Sequence, residues 1–382
     1  MNHTTRAPRA LHTPLCDLLG IDLPIVQAPM AGGWTTPALV SAVCNAGALG
    51  VLAAARTSIE QLREAIRVTR SLTNRPFGVN FLLAGPGPKP MRADVAAAQR
   101  FFDRVRETLG LPTTGPESAV TELSLPASPL EEQLEIVFEA RVPVLSIGMG
   151  DPGPLVERAH AAGVRVAASV TTVDEARRVA DEGVDIIIAQ GAEAGGHRST
   201  FDVGPRGEVP LVGTLALVPQ VADAVRVPVV AAGGIMDGRG LVAALALGAA
   251  GAQLGTRFLL ARESGAFPAY RERLLAATEV DTVLTDVLTG RPARALRNRL
   301  VDEYRREGPP PLAWMFQAAV ADDIYRAASA RGDAEWMPLM AGQGLRLLKR
   351  EQGAAEIVAE IAADARALLS RLCAGDTDSR RA

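Results

Sequence analysis

Cysteine is scarce: Cys16, Cys44 and Cys373 are the only three in 382 residues, they lie far apart, and none belongs to a CxxC pair or a ligand cluster. That spacing supports neither a disulfide framework nor a zinc or other metal site, and it suits a reducing cytoplasm. A basic stripe is also lacking. The 40 Lys and Arg are scattered among 43 Asp and Glu for a net charge of −3, so nucleic acid is not an expected partner. Apolar runs break well before a membrane-spanning length, which removes a membrane span from the expected architecture. The segment Met1 to Pro14 has charges and prolines but no continuous apolar stretch, and it reads as a short, partly disordered tail rather than a secretory leader.

Short apolar runs recur through the first two thirds of the chain, each followed by a helix-like stretch, as in parallel βαβ units. The candidate strands are Ile25 to Pro29, Ala48 to Ala53, Phe77 to Leu82, Val142 to Gly148, Arg165 to Ser169, Asp185 to Gln190, Pro228 to Ala232 and Ala252 to Thr256. Eight such strands predict a (β/α)8 TIM barrel over 15–260, a fold of roughly 250 residues before insertions. Runs such as Asp185-Ile186-Ile187-Ile188-Ala189 are continuously apolar, as expected of strands covered on both faces. Thr172-Val173-Asp174-Glu175-Ala176 opens a capped helix, and Gly183 marks its end. Two regions break the pattern. Residues 84–128 begin Ala84-Gly85-Pro86-Gly87-Pro88, run through an amphipathic stretch near Phe101 and Val105, and read as an insertion after strand 3. From about 261 the strand signal vanishes, predicting a C-terminal helical lobe over 261–373 packed on the barrel, with a flexible tail at 374–382.

Barrel enzymes place their chemistry at the C-terminal ends of the strands, and the loops after strands seven and eight commonly bind phosphate. Ala231-Ala232-Gly233-Gly234-Ile235 and Gln253-Leu254-Gly255-Thr256-Arg257 stand at those two points. Glycine lets backbone N–H groups approach a phosphate, and the Thr256 hydroxyl offers one further bond. Glycines there also make tight βα turns; the phosphate reading rests on both halves standing at the right strands with one βα unit between them. After strand six comes Gln190-Gly191-Ala192-Glu193-Ala194-Gly195-Gly196-His197-Arg198. Of the four histidines, His3 and His12 fall in the tail and His160 in a helix, so His197 is the candidate catalytic residue. Glu193 serves either as a loop brace or in acid/base work. Ala28-Pro29-Met30 would give apolar contact to a ring, and the amides of Asn80 and Gln190 suit a ring's polar edge.

As an ordered set these pieces resemble the nitronate monooxygenase family, formerly called 2-nitropropane dioxygenases. The matching segments are Gln27 to Gly33, Asn45 to Gly50, Phe77 to Asn80, Thr171 to Ala176, Gln190 to Arg198 and Pro228 through Thr256, and Met340-Ala341-Gly342-Gln343-Gly344 resembles a further family feature. The resemblance implies non-covalent FMN, with Asn80, Gln190, Gly195, Gly233 and Gln253 to Thr256 as contacts and His197 as the catalytic histidine. It implies oxidation of alkyl nitronates by O2 to a carbonyl compound and nitrite. The partners expected are thus a small-molecule nitronate and O2, with a homodimer as the assembly to test.

Family members differ in whether the histidine removes a proton from a neutral nitroalkane or steers an anionic nitronate. The segment Ala261 to Asn298 is at least as similar to FMN-dependent enoyl-acyl-carrier-protein reductases, so an NAD(P)H-dependent enoyl-thioester reductase stands as the alternative. A catalytically silent flavin-binding partner protein is the alternative of another class. An IMP dehydrogenase type of barrel would need a nucleophilic cysteine in a rim loop, and none of the three cysteines is so placed.

Overall fold

A computed structural model describes residues 11–114, 129–204 and 207–378. Most of the expected N-terminal tail, the Pro, Ser and Thr-rich part of the insertion at 115–128, and residues 379–382 lie outside the described residues. Where the tail meets the barrel, Leu11 is already buried and the helix Pro14–Leu19 begins.

Eight parallel strands close into a barrel in the order β1 (Ile25–Gln27), β2 (Leu49–Ala53), β3 (Gly78–Leu82), β4 (Val144–Gly148), β5 (Arg165–Val170), β6 (Ile186–Gln190), β8 (Val229–Ala232) and β9 (Gly251–Leu254). Every strand expected from the apolar runs is present. Alternation within a run decides which side each residue packs on. On β6, Ile186 and Ile188 fill the barrel interior with Val26, Leu49, Val51, Val144 and Val230. The intervening Ile187 and Ala189 face the surrounding helices with Val229 and Ala231. Leu15, Cys16 and Leu19 of the first helix plug the interior at its N-terminal end, where the Thr13 hydroxyl donates to the Ala250 carbonyl (2.6 Å). The outer helices begin as their sequences predict: Ser58 and Gln61 form a capping box on Ile59–Leu72, and the Thr172 side chain accepts from Glu175 N–H.

Beyond β9 the structure differs from the helical expectation in two ways. First, residues 261–353 are not all helical: β10 (Thr282–Thr285) and β11 (Ala293–Leu296) pair antiparallel, and β11 pairs in turn with β7 (Gly196–His197). Each strand is four residues or fewer, and β7 is distant in sequence, so at most the β10–β11 hairpin leaves a local trace and its pairing with β7 leaves none. Second, the helix Ala354–Asp378 belongs to the barrel. Its Ile357, Val358, Ile361, Ala362 and Ala365 join the core between barrel and helices, and it packs on Gly238–Ala246 and Pro37–Asn45. It is the helix that should follow the eighth strand, delayed by the whole lobe, and it runs on through the first residues of the expected flexible tail.

The lobe also draws on the insertion after β3. The helix Arg92–Leu109 contributes Val95, Phe101, Phe102, Val105 and Leu109 to one core with Tyr304, Phe316, Ile324 and Trp336. Phe101 meets Tyr304 edge-on at 4.6 Å, and the buried Arg106 guanidinium donates to Asp323 (2.8 Å) and to the Val320 carbonyl (2.7 Å). Two irregular stretches far apart in sequence thus build a single unit over one rim.

Candidate active site at the barrel rim

Most of the residues marked by sequence fall at or just past the C-terminal end of a barrel strand, while Asn80 and Gln253 lie within their strands. Ala28, Pro29 and Met30 follow β1, Asn80 lies in β3, Gln190 ends β6, Gly233 and Gly234 follow β8, and Gln253 to Thr256 run out of β9. Gly195 and His197 lie on the segment that leaves β6 and pairs through β7 with β11 of the lobe.

That segment is held rigidly. The Gln190 amide donates to the His197 carbonyl (3.0 Å) and accepts from Ser199 N–H (2.9 Å), so both its ends serve the histidine loop. Arg198, 1% exposed, donates to the carbonyls of Gly191 (2.7 Å) and Gln190 (2.9 Å). Burial pushes this guanidinium down to about 10, which leaves it a cation at neutral pH. Within the same loop, the Glu193 carboxylate accepts from the Thr214 N–H (2.9 Å) and hydroxyl (2.8 Å) at the start of the helix Thr214–Ala224. Of its two sequence readings, the geometry makes Glu193 a brace.

His197 stands on β7 opposite Ala293 of β11. Its Nε2 is 2.9 Å from the Thr289 hydroxyl, and its ring meets the indole of Trp314 edge-on, with centroids 4.8 Å apart at 76°. Trp314 in turn donates from Nε1 to the Ala84 carbonyl (3.2 Å), and its own carbonyl accepts from Gly87 N–H (3.2 Å). The insertion after β3 and the lobe therefore meet at one wall beside the histidine. Burial, and secondarily the positive charge of Arg291, push the imidazole down to about 4, so it is neutral at pH 7. Thr289, Arg291 and Trp314 were not marked by the sequence. The available signal was the β-branched run Thr282-Val283-Leu284-Thr285 followed by the turn residues Thr289-Gly290, a hairpin pattern inside a region otherwise rich in helix formers.

Across the rim, four backbone segments knot together. Gly342 N–H donates to the Thr256 hydroxyl (3.0 Å), and Gln343 N–H to the Glu193 carbonyl (3.0 Å). At Gly195 an added Cβ would lie 2.6 Å from the backbone of Ala341 and Gly342, so only glycine permits this approach. Gly233 has φ +118°, and a Cβ there would lie 2.8 Å from the Thr214 hydroxyl and 3.2 Å from Ala194 N. Among the described residues no protein acceptor takes the N–H of Gly234 or Ile235. Further along, the Asn80 amide donates to the carbonyl (3.1 Å) and hydroxyl (3.2 Å) of Ser146. The Gln253 Oε1 is buried without a donor among the described residues. Ser146 and Gln253 also line a cavity of about 20 Å³ inside the barrel.

One sequence feature runs against the expectation that no G-x-G-x-x-G opens a βαβ unit here. Gly148-Met149-Gly150-Asp151-Pro152-Gly153 has the G-x-G-x-x-G spacing between β4 and the helix Gly153–Ala161. It is no dinucleotide cradle. Asp151 accepts from Gly153 N–H at the helix start (2.9 Å), and a Cβ at Gly153 would touch the Glu182 carboxylate, so the space a phosphate needs already carries negative charge. His160 pairs with Asp185 (2.9 Å) and His12 with Asp17 (2.7 Å), both away from the rim.

A family model described as nitronate monooxygenase matches residues 12–364, the barrel and lobe together. The chain belongs to the nitronate monooxygenase family. A probable nitronate monooxygenase of Staphylococcus saprophyticus is 37% identical over 351 residues, spanning 89% of this chain and 94% of that protein. A solved structure of a nitroalkane oxidase from Streptomyces ansochromogenes is 37% identical with a TM-score of 0.84, covering 94% of this chain and 99% of the other. FabK from Thermotoga maritima is 32% identical with a TM-score of 0.75, over 95% and 99% of the two chains. Membership of the nitronate monooxygenase family makes the chain an enzyme, a flavin oxidoreductase. Among its described residues no helix is long and apolar enough to cross a membrane.

Proposed function

We propose that this chain uses FMN to oxidise alkyl nitronates with O2 to a carbonyl compound and nitrite, acting on a small-molecule substrate in the cytoplasm. The observation that carries the reading is a neutral His197, walled by Trp314 on the lobe, across the rim from a glycine-lined corner with unclaimed N–H groups. The residues present fit FMN. Gly233, Gly234, Ile235 and the Thr256 hydroxyl would hold its phosphate, Ala28 to Met30 its ring, and Asn80 and the donorless Gln253 the ring's polar edge. FMN, when bound, supplies the redox chemistry. The protein supplies position and electrostatics. Arg291 puts positive potential at the histidine, which favours an anionic substrate, while Gln190 and Arg198 fix the loop so that the imidazole keeps one orientation.

Likeness to FabK favours the second reading, reduction of an enoyl thioester by NAD(P)H. Anaerobic mixing of the purified yellow protein with ethylnitronate, and separately with NADPH, distinguishes the two. Nitronate should alter the flavin spectrum without NADPH and give nitrite once O2 is admitted. His197→Ala should retain flavin and lose roughly 10²-fold or more in turnover. Bleaching by NADPH within seconds, restored by a crotonyl thioester and with no response to nitronate, would replace the proposal with the reductase. Heat-released flavin should be FMN, not FAD.

A further inference from the structure

The Thr289 hydroxyl lies between two groups. On one side is His197 Nε2 at 2.9 Å; on the other is the Arg291 carbonyl, to which Thr289 donates at 3.3 Å. Arg291 is 8% exposed, and among the described residues its carbonyl has no other donor. A buried carbonyl left alone costs the loss of a hydrogen bond, so the Thr289 proton belongs on Arg291 and its lone pairs face the imidazole. A neutral imidazole has one N–H, and an acceptor facing Nε2 puts it there. Nδ1 then carries the lone pair. It has no protein partner among the described residues, and His197 is only partly buried, which leaves Nδ1 free for a substrate.

We propose that Thr289 is a positioning residue that holds the His197 proton on Nε2, leaving Nδ1 to take the α-proton of a neutral nitroalkane. This rests on the reading that His197 faces the substrate, and what it adds is the residue that sets which ring nitrogen is free to take the proton. In the step, the α-C–H bond breaks, its electron pair moves into the nitro group to give the nitronate, and the proton bonds to Nδ1. The resulting imidazolium keeps its Nε2–H on Thr289. The surroundings agree with a histidine that starts neutral: Thr285 and Ala293, its neighbours in the row across the sheet, and Trp314 beside it are uncharged, and the charge that acts on it is the cation of Arg291. Arg294, paired with Gly196, turns to the Ala192 carbonyl instead, and Arg198 to the carbonyls of Gln190 and Gly191.

The test that does not depend on the reaction is nitrogen NMR of protein labelled in its imidazole rings, with the His197 signals assigned by their loss in His197→Gln. At pH 7 the wild type should show Nε2 protonated and Nδ1 bare. Thr289→Val, which keeps the shape and removes the hydroxyl, should move population to the other tautomer, and Thr289→Ser should restore the wild-type spectrum. A proton on Nδ1 in the wild type, or a spectrum that Thr289→Val leaves unchanged, overturns the proposal. In turnover, the ratio of kcat/KM for nitroethane to that for ethylnitronate should fall by roughly 10-fold or more in Thr289→Val and recover in Thr289→Ser, because only the neutral substrate must lose a proton. An unchanged ratio also counts against Thr289. If neither compound alters the wild-type flavin, the proposed reaction fails, and the NMR result still decides the role of Thr289.

Discussion

Barrel and lobe are built by opposite rules. The barrel is assembled from consecutive neighbours, each strand pairing with the next, so its core follows from local repeats. The lobe is assembled from strangers: the helix Arg92–Leu109, the segment after β9 and the two residues of β7 meet only in the folded state. The site is divided the same way. The glycine corner lies on the barrel, whereas the partners that tune His197, Thr289, Arg291 and Trp314, come from the lobe.

The largest effect should come from damaging the barrel's half. Gly233→Leu forces a side chain into a φ of +118° and against Thr214 and Ala194, so flavin affinity should fall by roughly 100-fold or more while the lobe stays folded. Fluorescence titration with FMN measures it, and unchanged affinity would place the phosphate elsewhere. A smaller effect should come from the lobe. Arg106→Met removes the buried cation joining the insertion to Asp323 and the Val320 carbonyl, and since Asp323 is partly exposed the loss should be about 3 kcal/mol rather than more. Hydrogen exchange should then speed up in Arg92–Leu109 and Asp322–Arg331 and leave the barrel strands protected; equal loss in both would show that the two parts unfold as one.

The smallest expected effect lies at the seam. His197 has a pKa of about 4 when folded against the ordinary 6.5, so between those values the unfolded chain binds a proton that the folded chain refuses. Stability contributed by the neutral ring is therefore nearly full above about pH 6.5 and declines as pH falls toward 4, by about 2.5 kcal/mol near pH 4.5. Urea unfolding of the flavin-free protein at pH 7.5 and 4.5 should show this loss in the wild type and a smaller one in His197→Gln. Equal losses would mean that the ring is solvated.

What could be read from sequence divides along the same line. Runs such as Asp185 to Gln190 announce buried parallel strands because both faces are covered, and glycines such as Gly233 and Gly195 announce close approach because no other residue fits. The pairing of β11 with β7 could not be read so, because Ala293 and His197 are almost a hundred residues apart and neither short strand has a repeat of its own. Thr289 is an ordinary turn residue until the sheet brings it to Nε2. Gln190 shows the limit from the other side: its place at the end of β6 was legible, but not that both ends of its amide would be claimed by the histidine loop.

The late helix Ala354–Asp378 has a consequence for how the molecule comes into being. It fills the gap between the first and last helical layers of the barrel, yet about 100 residues of lobe separate it from the strand it follows. During synthesis all eight strands emerge from the ribosome before the helix that covers the seam between their ends. Until that helix docks, the apolar faces of Pro37–Asn45 and Gly238–Ala246 remain open to other chains, so the nascent barrel passes through an aggregation-prone interval whose length is set by translation of the lobe.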